Sequence, residues 1–506
     1  MSPNSWSLNN ADIMTSTRKE LASGVFYTAL AKYSNIAAQI VVAAVLSRLL
    51  TPDDYGLVAV ATVYIAFFNL LSDIGIGPAV IQFRDLTRSD LGHIFSFTAW
   101  VGAVMAWLFF ACAGPIASYY DNPQLEPVCR LLSLTILFYC LNIVPQNLQY
   151  KRKRFKFTGF TTLLVYVLSA TLAIVLALMG WGVWALVTQQ VMSAFLLFLI
   201  YYLQDRLPFR PRIDFRPLRR IMSFSLFQFL FNIINYFSRN LDKLLIGRYI
   251  GLAPLGQYEK SYRLMLMPLQ NITFAVTPVL QPVLSKFQDS QREIADKYIK
   301  LFHFLCYIGF PLSVLLFFTG GELILLFFGD QWHDAVFPFR ILALTVGLQI
   351  LNGTSGSVYQ SANATRQLFI SGCWGAFFMV TAFAVTIFGW GTINAVAVGY
   401  AIAQLFNSAQ TYWLLFRTLQ FPLHRALIGM VYPLFVSLSM GLVLWLFLPL
   451  LSGLPTLLSL AAKCLTALIT WYLLVNYAGP NRGEINAFFR RLFQKQSNSQ
   501  NSKCIR

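Results

Sequence analysis

Charged residues are scarce in this chain, and that scarcity excludes an ordinary soluble domain. Only 11% of the residues are charged and 57% are hydrophobic, whereas a soluble domain has about 25% charged residues. Strand-like alternation of polar and apolar residues is also absent, which argues against an outer-membrane barrel. What is present instead is a succession of apolar runs of about 20 residues, the length that a membrane-spanning helix needs. The sequence therefore predicts an all-α polytopic membrane protein.

Paired cysteines are lacking as well. The chain has seven cysteines, and none stands in a CxxC pair. Six lie in or beside apolar runs, where cysteine packs as a small apolar side chain. The pattern predicts no disulfide framework and no zinc site. The cysteines are Cys112, Cys129, Cys140, Cys306, Cys373, Cys464 and Cys504.

Catalytic motifs are missing from the sequence. It contains no HExxH, GxSxG or Walker pattern, so ATP hydrolysis by this chain is not expected. An alternative is a membrane polymerase or ligase of surface glycans. The only feature that favours this alternative is His333 between Asp330 and Asp334. The non-cytoplasmic loops are too short to hold an acceptor glycan. We predict a protein that is not an enzyme and that needs no metal and no cofactor.

About fourteen spans are expected from the length rule. The segment up to Glu20 is polar and no small-residue cleavage site follows the first apolar run, so we predict that this run is retained as a span. Polar residues interrupt the seventh, eighth and tenth spans. The fourteen begin near Gly24, Leu57, Ile94, Val128, Phe160, Val183, Ile221, Leu255, Phe302, Val336, Leu368, Ile393, Leu427 and Leu457.

The net charge of +18 is concentrated in alternate loops. Clusters such as Lys151–Lys156 and Arg206–Arg220 fall on one side, whereas Gly114–Pro127 and Gly320–Ala335 on the other side contain no Lys or Arg. Because basic loops stay in the cytoplasm, both termini are predicted to be cytoplasmic. Topogenic charge, with some attraction to anionic lipid heads, explains these clusters, so nucleic acid is not an expected partner.

Two apolar segments carry the same polar stripe. In each, four polar residues are spaced by 4, 3 and 4 positions, which aligns them on one face of a helix. A polar stripe cannot face hydrocarbon cheaply, so we predict that both stripes line one wet cavity shared by two halves of the protein. The stripes are Thr28, Lys32, Asn35 and Gln39, and Gln228, Asn232, Asn235 and Arg239.

Other short motifs recur in the same order along the chain. Arg48 and Gly56 recur as Arg248 and Gly256. The segments beginning at Arg130 and Gly180 recur at nearly the same offset, as Arg340-Ile-Leu-Ala-Leu-Thr345 and Gly389-Trp390-Gly391. Matches in register indicate a duplication of six spans, and an even number makes the repeats parallel.

The repeat divides the chain into segments. We predict an N-terminal lobe over 21–203, a basic linker over 204–220 and a C-terminal lobe over 221–417. The spans over 427–478 have no counterpart and form an addition. Polar segments over 1–20 and 479–506 complete the chain on the cytoplasmic side.

Several charges fall within the predicted spans, where each costs about 2.5–3.5 kcal/mol at a helix centre. Glu259 is expected to pair with Arg263, and Asp242 with Arg239, along their own helices. Lys32 has no acid in its helix, so we predict a cationic cavity and an anionic substrate; the alternative is a structural bridge from Lys32 to Asp73 or Asp242. The predicted cavity set adds Asp242, Lys243, Glu259 and Arg263 to the two stripes. Asp73, Asp242 and Glu259 are the candidates for binding a coupling cation.

Four motifs resemble the polysaccharide transporter family, in particular its branch similar to colanic acid exporters, within the multidrug/oligosaccharidyl-lipid/polysaccharide (MOP) flippase superfamily. The resemblance extends from about Gly24 to Phe421. The motifs are Leu46-Ser-Arg-Leu-Leu-Thr-Pro-Asp-Asp-Tyr-Gly56, Asp73-Ile-Gly-Ile-Gly77, Pro145-Gln-Asn-Leu-Gln-Tyr-Lys-Arg152 and Asn240-Leu-Asp-Lys-Leu-Leu-Ile-Gly247.

The resemblance implies a fold and an activity. The implied fold is two six-helix lobes arranged as a V around a central cavity, with two additional C-terminal helices. The implied activity is the flipping of undecaprenyl-diphosphate-linked oligosaccharide repeat units across the bacterial inner membrane, with polysaccharide polymerase machinery and membrane lipids as partners. A cation-coupled drug exporter of the same superfamily is the main alternative, but such proteins commonly carry acids in the cavity. A second alternative is a peptidoglycan-precursor flippase, which would also have a cationic cavity. Cavity chemistry alone does not separate it from an oligosaccharide flippase.

Overall fold

The computed structural model describes residues 32–72, 76–83, 85–210, 226–451 and 453–478, and the regular structure in these ranges is helical throughout. The all-α class predicted from the sequence is therefore confirmed. The predicted terminal segments 1–20 and 479–506 lie outside the described residues, as does the linker from 211 to 220.

Sixteen α-helices carry the described part of the chain. The first, α1, covers 32–49, and short 3₁₀ turns follow α9 and α10. The others are α2 (Pro52–Ser72), α3 (Ile76–Gln82), α4 (Arg88–Tyr119), α5 (Leu125–Lys151), α6 (Phe155–Leu178), α7 (Val183–Asp205), α8 (Leu226–Tyr249), α9 (Leu252–Leu284), α10 (Gln291–Phe328), α11 (Val336–Leu344), α12 (Val346–Ser361), α13 (Thr365–Trp390), α14 (Ile393–Thr418), α15 (Leu423–Leu451) and α16 (Thr456–Leu473).

Nine of the helices in the described ranges are long and apolar enough to cross a membrane, and this defines a multi-span helical membrane protein. A bent pair, α11 and α12, meets the same criterion jointly, with an angle of 50° between its two parts. The polar residues of α1 and α8 keep those helices outside this set. The count of fourteen crossings therefore stays a prediction.

Capping boxes start two of the early helices. Thr51 precedes α2, and its backbone N–H donates to the Asp54 carboxylate at 2.9 Å, while the Asp54 N–H donates to the Thr51 hydroxyl at 3.3 Å. Thr87 and Asp90 repeat this arrangement at the start of α4. Because a capping box satisfies two backbone donors, these residues fix where the helices begin, with Pro52 at the favoured first position of α2.

One compact unit contains α1 to α8, the start of α9 up to Glu259, and the segment Phe327–Trp332. Its centre is α5, which packs against α2, α4 and α7. Leu125, Cys129, Leu132, Ile136 and Cys140 of α5 are fully buried at the spacing that aligns residues on one helix face. The expectation that cysteines serve as apolar packing residues agrees with the burial of Cys129 and Cys140 here.

The second compact unit contains α9 from Lys260 onwards, α10 up to Leu326, and the chain from His333. A buried polar chain links three of its helices: the hydroxyl of Tyr298 lies 2.9 Å from the Thr354 hydroxyl and 3.4 Å from the Tyr412 hydroxyl. In the membrane interior such groups need partners within the protein. The predicted lobe boundaries at 21–203 and 221–417, which followed the repeat, stay a prediction.

The two copies of the motif that begins at Arg130 and Arg340 share one side-chain contact. The hydroxyl of Thr135 donates to the Leu132 carbonyl at 2.5 Å, and its counterpart in the repeat, Thr345, donates to the Leu342 carbonyl at 2.6 Å. The two segments then differ, because α5 continues as one helix past Thr135, whereas the chain bends at Thr345 between α11 and α12. The two copies thus share the threonine hydrogen bond, but only the second copy has a bend in the helix at this position.

Candidate functional site

The first polar stripe lies on an accessible face of α1. Lys32 and Gln39 are exposed and Asn35 is half-buried; Thr28 lies outside the described residues. Val41 is 63% exposed, and at about 100° per residue it points to the side opposite the stripe. The helix therefore has two accessible faces of opposite character, an apolar one suited to lipid and the polar stripe.

The second stripe lies on α8 and shows the same division. Arg239 is exposed, and Phe237, two positions earlier and so on the opposite side of the helix, is 40% exposed. The backbone of Gln228, Asn232 and Asn235 belongs to α8, but their side chains lie outside the described residues. Arg239 is therefore an exposed cation on the face of α8 opposite the apolar face that carries Phe237.

A cluster of one buried and two partly buried charges follows Arg239 within α8 and the start of α9. Asp242 is 1% exposed; its carboxylate accepts a hydrogen bond from the Tyr258 hydroxyl at 3.0 Å and from the Lys243 backbone N–H at 2.8 Å. The Lys243 ammonium lies 2.8 Å from the carboxylate of Glu259. Each charge here meets an opposite charge or a hydrogen-bond donor, as buried charges require.

These contacts correct two pairings expected from the sequence. Glu259 pairs with Lys243 of the neighbouring helix, not with Arg263, which is exposed. Asp242 is satisfied by Tyr258, not by Arg239. The expectations considered pairs within one helix, whereas α8 and α9 lie side by side and bring residues of different helices into contact. Asp73, a coupling candidate, lies outside the described residues.

Two glycines of the repeat explain how α2 and α9 meet. A Cβ atom on Gly56 would lie 2.0 Å from the Leu252 carbonyl oxygen, and a Cβ atom on Gly256 would lie 2.0 Å from the Pro52 carbonyl oxygen. The contact is reciprocal, since Gly256 and Leu252 are the counterparts of Gly56 and Pro52 in the repeat. Only glycine permits this approach of backbone to backbone, so the motif ending at Gly56 and its repeat both mark a helix crossing.

The other motifs of the resemblance also mark contacts. Gly77 faces Asn147, whose side-chain nitrogen would lie 2.8 Å from a Cβ at that glycine. The Gln149 amide donates to Asp205 at 2.7 Å, and Arg152 pairs with the same carboxylate. The motif Asp73–Gly77 thus packs at Gly77 against the motif Pro145–Arg152, and these residues hold α3, α5 and α7 together at one end.

The sequence reasoning missed an ion pair in the second compact unit. Lys463 of α16 is 5% exposed and pairs with Glu322 of α10, and the Ser459 hydroxyl donates to the same carboxylate at 3.0 Å. The pair is one of the contacts that hold α16 against α10. A lysine inside the last apolar run was a signal for it, because such a charge needs a partner.

A second missed contact lies in the first compact unit. The Trp332 indole N–H donates to the Ser47 carbonyl at 2.8 Å, and the Gln331 amide donates to the Leu50 carbonyl at 3.0 Å. These bonds satisfy the carbonyl groups at the end of α1, which have no partner within the helix. Among the described residues no group of three His, Cys, Asp or Glu side chains could hold a metal ion.

Together these features define a multi-span helical membrane protein in which residues of the sequence repeat meet at a reciprocal helix crossing. In solved structures the same fold occurs in an inward-closed lipid II flippase MurJ, with a TM-score of 0.70 at 12% identity, covering 89% of this chain and 98% of that one. An inward-facing multidrug resistance MATE transporter of the MOP superfamily gives a TM-score of 0.58 at 15% identity, over 76% and 94% of the two chains. The fold is therefore that of the MOP superfamily.

Residues 45–337 match the model of a family described as polysaccharide biosynthesis protein, and the chain belongs to that family. It is 26% identical to the teichuronic acid biosynthesis protein TuaB of Bacillus subtilis, over 85% of this chain and 89% of that protein. It is 25% identical to the lipopolysaccharide biosynthesis protein WzxC of Escherichia coli, over 87% of each. The family resemblance inferred from the motifs is confirmed.

Proposed function

We propose that this protein flips undecaprenyl-diphosphate-linked oligosaccharide repeat units across the bacterial inner membrane, by alternating access. The observation that carries the proposal is the pair of polar stripes, each with an exposed cation, Lys32 or Arg239, on the helix face opposite an exposed apolar residue. A diphosphate supplies the anion that such cations would meet. The lipid tail would remain in the bilayer during transport.

The relatives support a polysaccharide substrate. The succinoglycan biosynthesis transport protein ExoT of Rhizobium meliloti is 25% identical over 85% of this chain, and its name joins transport to succinoglycan biosynthesis. A lipid-linked repeat unit, polymerase partners, cytoplasmic termini and the lack of enzymatic activity are parts of the proposal. In this proposal Asp242 and Glu259 are the candidates for binding a coupling cation. Binding of the cation would act on the contacts that these carboxylates make with Tyr258 and Lys243.

The test uses proteoliposomes that carry a fluorescent undecaprenyl-diphosphate oligosaccharide in one leaflet. We expect Lys32→Gln and Arg239→Gln each to lower the rate of flipping at least tenfold, since each removes one charge-assisted contact worth about 1.5–3 kcal/mol. Lys32→Arg should retain most of the activity. Lys300→Gln, which removes an exposed cation outside the stripes, is the matched control.

The alternatives give different outcomes in the same vesicles. Export of a cationic dye with no flipping of the sugar lipid would assign the protein to drug export. Flipping of a peptidoglycan precursor in preference to the lipid-linked oligosaccharide would identify the protein as a peptidoglycan-precursor flippase. Full activity of the Lys32→Gln/Arg239→Gln double variant would refute the anion site.

A further inference from the structure

The connection from α5 to α6 is the most basic turn of the described chain. Lys151, Arg152, Lys153, Arg154 and Lys156 fall within six residues. Two of them hold the fold together: Lys151 donates to the Phe83 carbonyl at 2.5 Å, and Arg152 pairs with Asp205. Asp205, whose side chain is 5% exposed, therefore neutralises one positive charge and leaves the turn strongly cationic.

The same turn occurs in the second half without this charge. The Lys153 N–H donates to the Tyr150 carbonyl at 2.9 Å and the Arg154 N–H to the Gln149 carbonyl at 3.0 Å. At the equivalent place in the repeat, the N–H groups of Asn363 and Ala364 make the same two bonds, at 3.1 and 2.8 Å. Both are Schellman turns, which end a helix with one residue in the left-handed region.

The residue in the left-handed region differs between the two turns. Asn363 has φ of 54° and Lys153 has φ of 56°. Asparagine adopts this conformation more readily than a residue with a long side chain such as lysine. The four residues Lys151–Arg154 stand where the second half has Ser361-Ala-Asn-Ala364, so the turn itself does not require basic residues.

Membrane orientation does not require lysine at this position either. The positive-inside rule sums charge over a loop, so cations anywhere between α5 and α6 would serve. A basic residue held in a less favourable backbone conformation, here Lys153, points to a local function. The second half retains one cation here, Arg366 at the place of Lys156.

Two further observations indicate what the turn binds. No described side chain caps the N-terminus of α6, which starts at Phe155 directly after the turn, and uncapped N–H groups at a helix start favour an anion. Tyr150 and Phe155, each 37% exposed, lie on either side of Lys151–Arg154, and tyrosine is enriched at the level of lipid headgroups. Lys153 and Arg154 are exposed between them.

We infer that this basic turn, Lys151–Lys156, is a binding site for the phosphate groups of a lipid head at the membrane surface. Phosphatidylglycerol and a polyprenyl diphosphate both offer this chemistry. Lysine and arginine next to the uncapped start of α6 would surround the phosphate oxygens, and the lipid tail would lie along the apolar surface of α6, where Phe160 is 64% exposed. The inference does not depend on transport.

The test replaces Lys153 and Arg154 with the residues of the second half, as Lys153→Asn/Arg154→Ala. Folding should be kept, since Asn363 and Ala364 already form this turn, and the melting temperature should not fall. Lys286→Asn/Arg292→Ala is the matched control, because it removes two exposed cations elsewhere. Binding of phosphatidylglycerol, polyprenyl diphosphate and phosphatidylcholine to the purified full chain is measured by native mass spectrometry.

We expect the turn variant to lose affinity for anionic lipid by about 25-fold, from about fivefold for each cation near a charged headgroup, with no loss in the control. Loss for both anionic lipids identifies a general phosphate site, and loss for the polyprenyl diphosphate alone identifies a site for that head. Equal losses in the turn variant and the control would overturn the inference, because net charge would explain them. Unchanged affinity in the turn variant would overturn it as well.

Discussion

The two halves of the chain share a geometry but differ in charge where α8 meets α9. When the halves are aligned by the repeat, the second half has a charged cluster where the first half has small apolar residues. The two sets are Asp242, Lys243, Tyr258 and Glu259, and Val42, Ala43, Val58 and Ala59. The single helix crossing beside them, of α2 with α9, is symmetric, with Gly56 and Gly256 each against a carbonyl oxygen of the other helix. The two halves therefore contribute alike to the backbone contact, whereas the charges beside it belong to the second half.

The basic turn reverses this asymmetry. There the first half carries the charge, at Lys153 and Arg154, and the second half has Asn363 and Ala364 in the same backbone conformation. Each half thus has a charged feature that its counterpart lacks. Backbone geometry that the halves share therefore belongs to the fold, whereas charged residues that differ between the halves are candidates for a specific function.

The shared crossing should be the most sensitive feature. Gly56→Ala and Gly256→Ala would each place a Cβ atom 2.0 Å from a carbonyl oxygen, so the helices must separate, at a cost of about 3 kcal/mol or more. We expect both variants to give little folded protein, to the same extent. Gly356→Ala, with open space around the site, should be as stable as the parent. Size-exclusion profiles measure this, and a well-folded Gly56→Ala protein would contradict the crossing.

The additional helices have no counterpart in the first half. An ion pair and the hydrogen bond from the Trp471 indole to the Tyr307 carbonyl both hold α16 against α10. Lys463→Leu would leave Glu322 without its cation, at a cost of about 3–5 kcal/mol, and should lower the midpoint of chemical unfolding. The Lys463→Leu/Glu322→Leu double variant should recover most of the loss, because both charges are then absent. A double variant no more stable than Lys463→Leu would show that the pair is not what holds α16.

The charged cluster can be converted to its first-half counterpart. Lys243→Ala leaves Glu259 in a partly buried site and should lower the free energy of unfolding by about 2–3 kcal/mol, less than for a fully buried pair. Lys243→Ala/Glu259→Ala introduces the residues of the first half and should restore stability. If transport is lost in that stable double variant, the cluster acts in coupling; retained transport would assign it to structure alone.

The start of α2 should show the smallest effect. Thr51→Ala removes the capping box with Asp54 and should cost about 1 kcal/mol. Thr51→Gly introduces the residue that the second half has at Gly251. It should cost only about a few tenths of a kcal/mol of stability. Thermal unfolding of the two variants side by side measures the difference, and a larger loss for glycine would show that the cap is not the cause.

The helical class and the duplication were predictable, because apolar runs and repeated motifs are properties of the sequence itself. Which residues share a helix face was also predictable, and Lys32 and Val41 illustrate this because they are exposed on opposite faces of α1. Pairings between helices were not: Lys243 with Glu259 and Lys463 with Glu322 depend on which helices pack together. The role of Gly56 was not readable either, because a close approach of two backbones leaves only a glycine in the sequence.

The proposed polar cavity is tested most directly by measuring whether water reaches the two polar stripes. Single cysteines would replace Asn35, Gln39 and Asn235, with Val41 and Phe237 as controls on the opposite helix faces, in a chain without its native cysteines. We predict that a polar thiol reagent labels the stripe positions and not the controls, and that undecaprenyl-diphosphate oligosaccharide slows the labelling. Stripe positions that resist the reagent, or controls that react equally fast, would contradict a polar cavity lined by both halves.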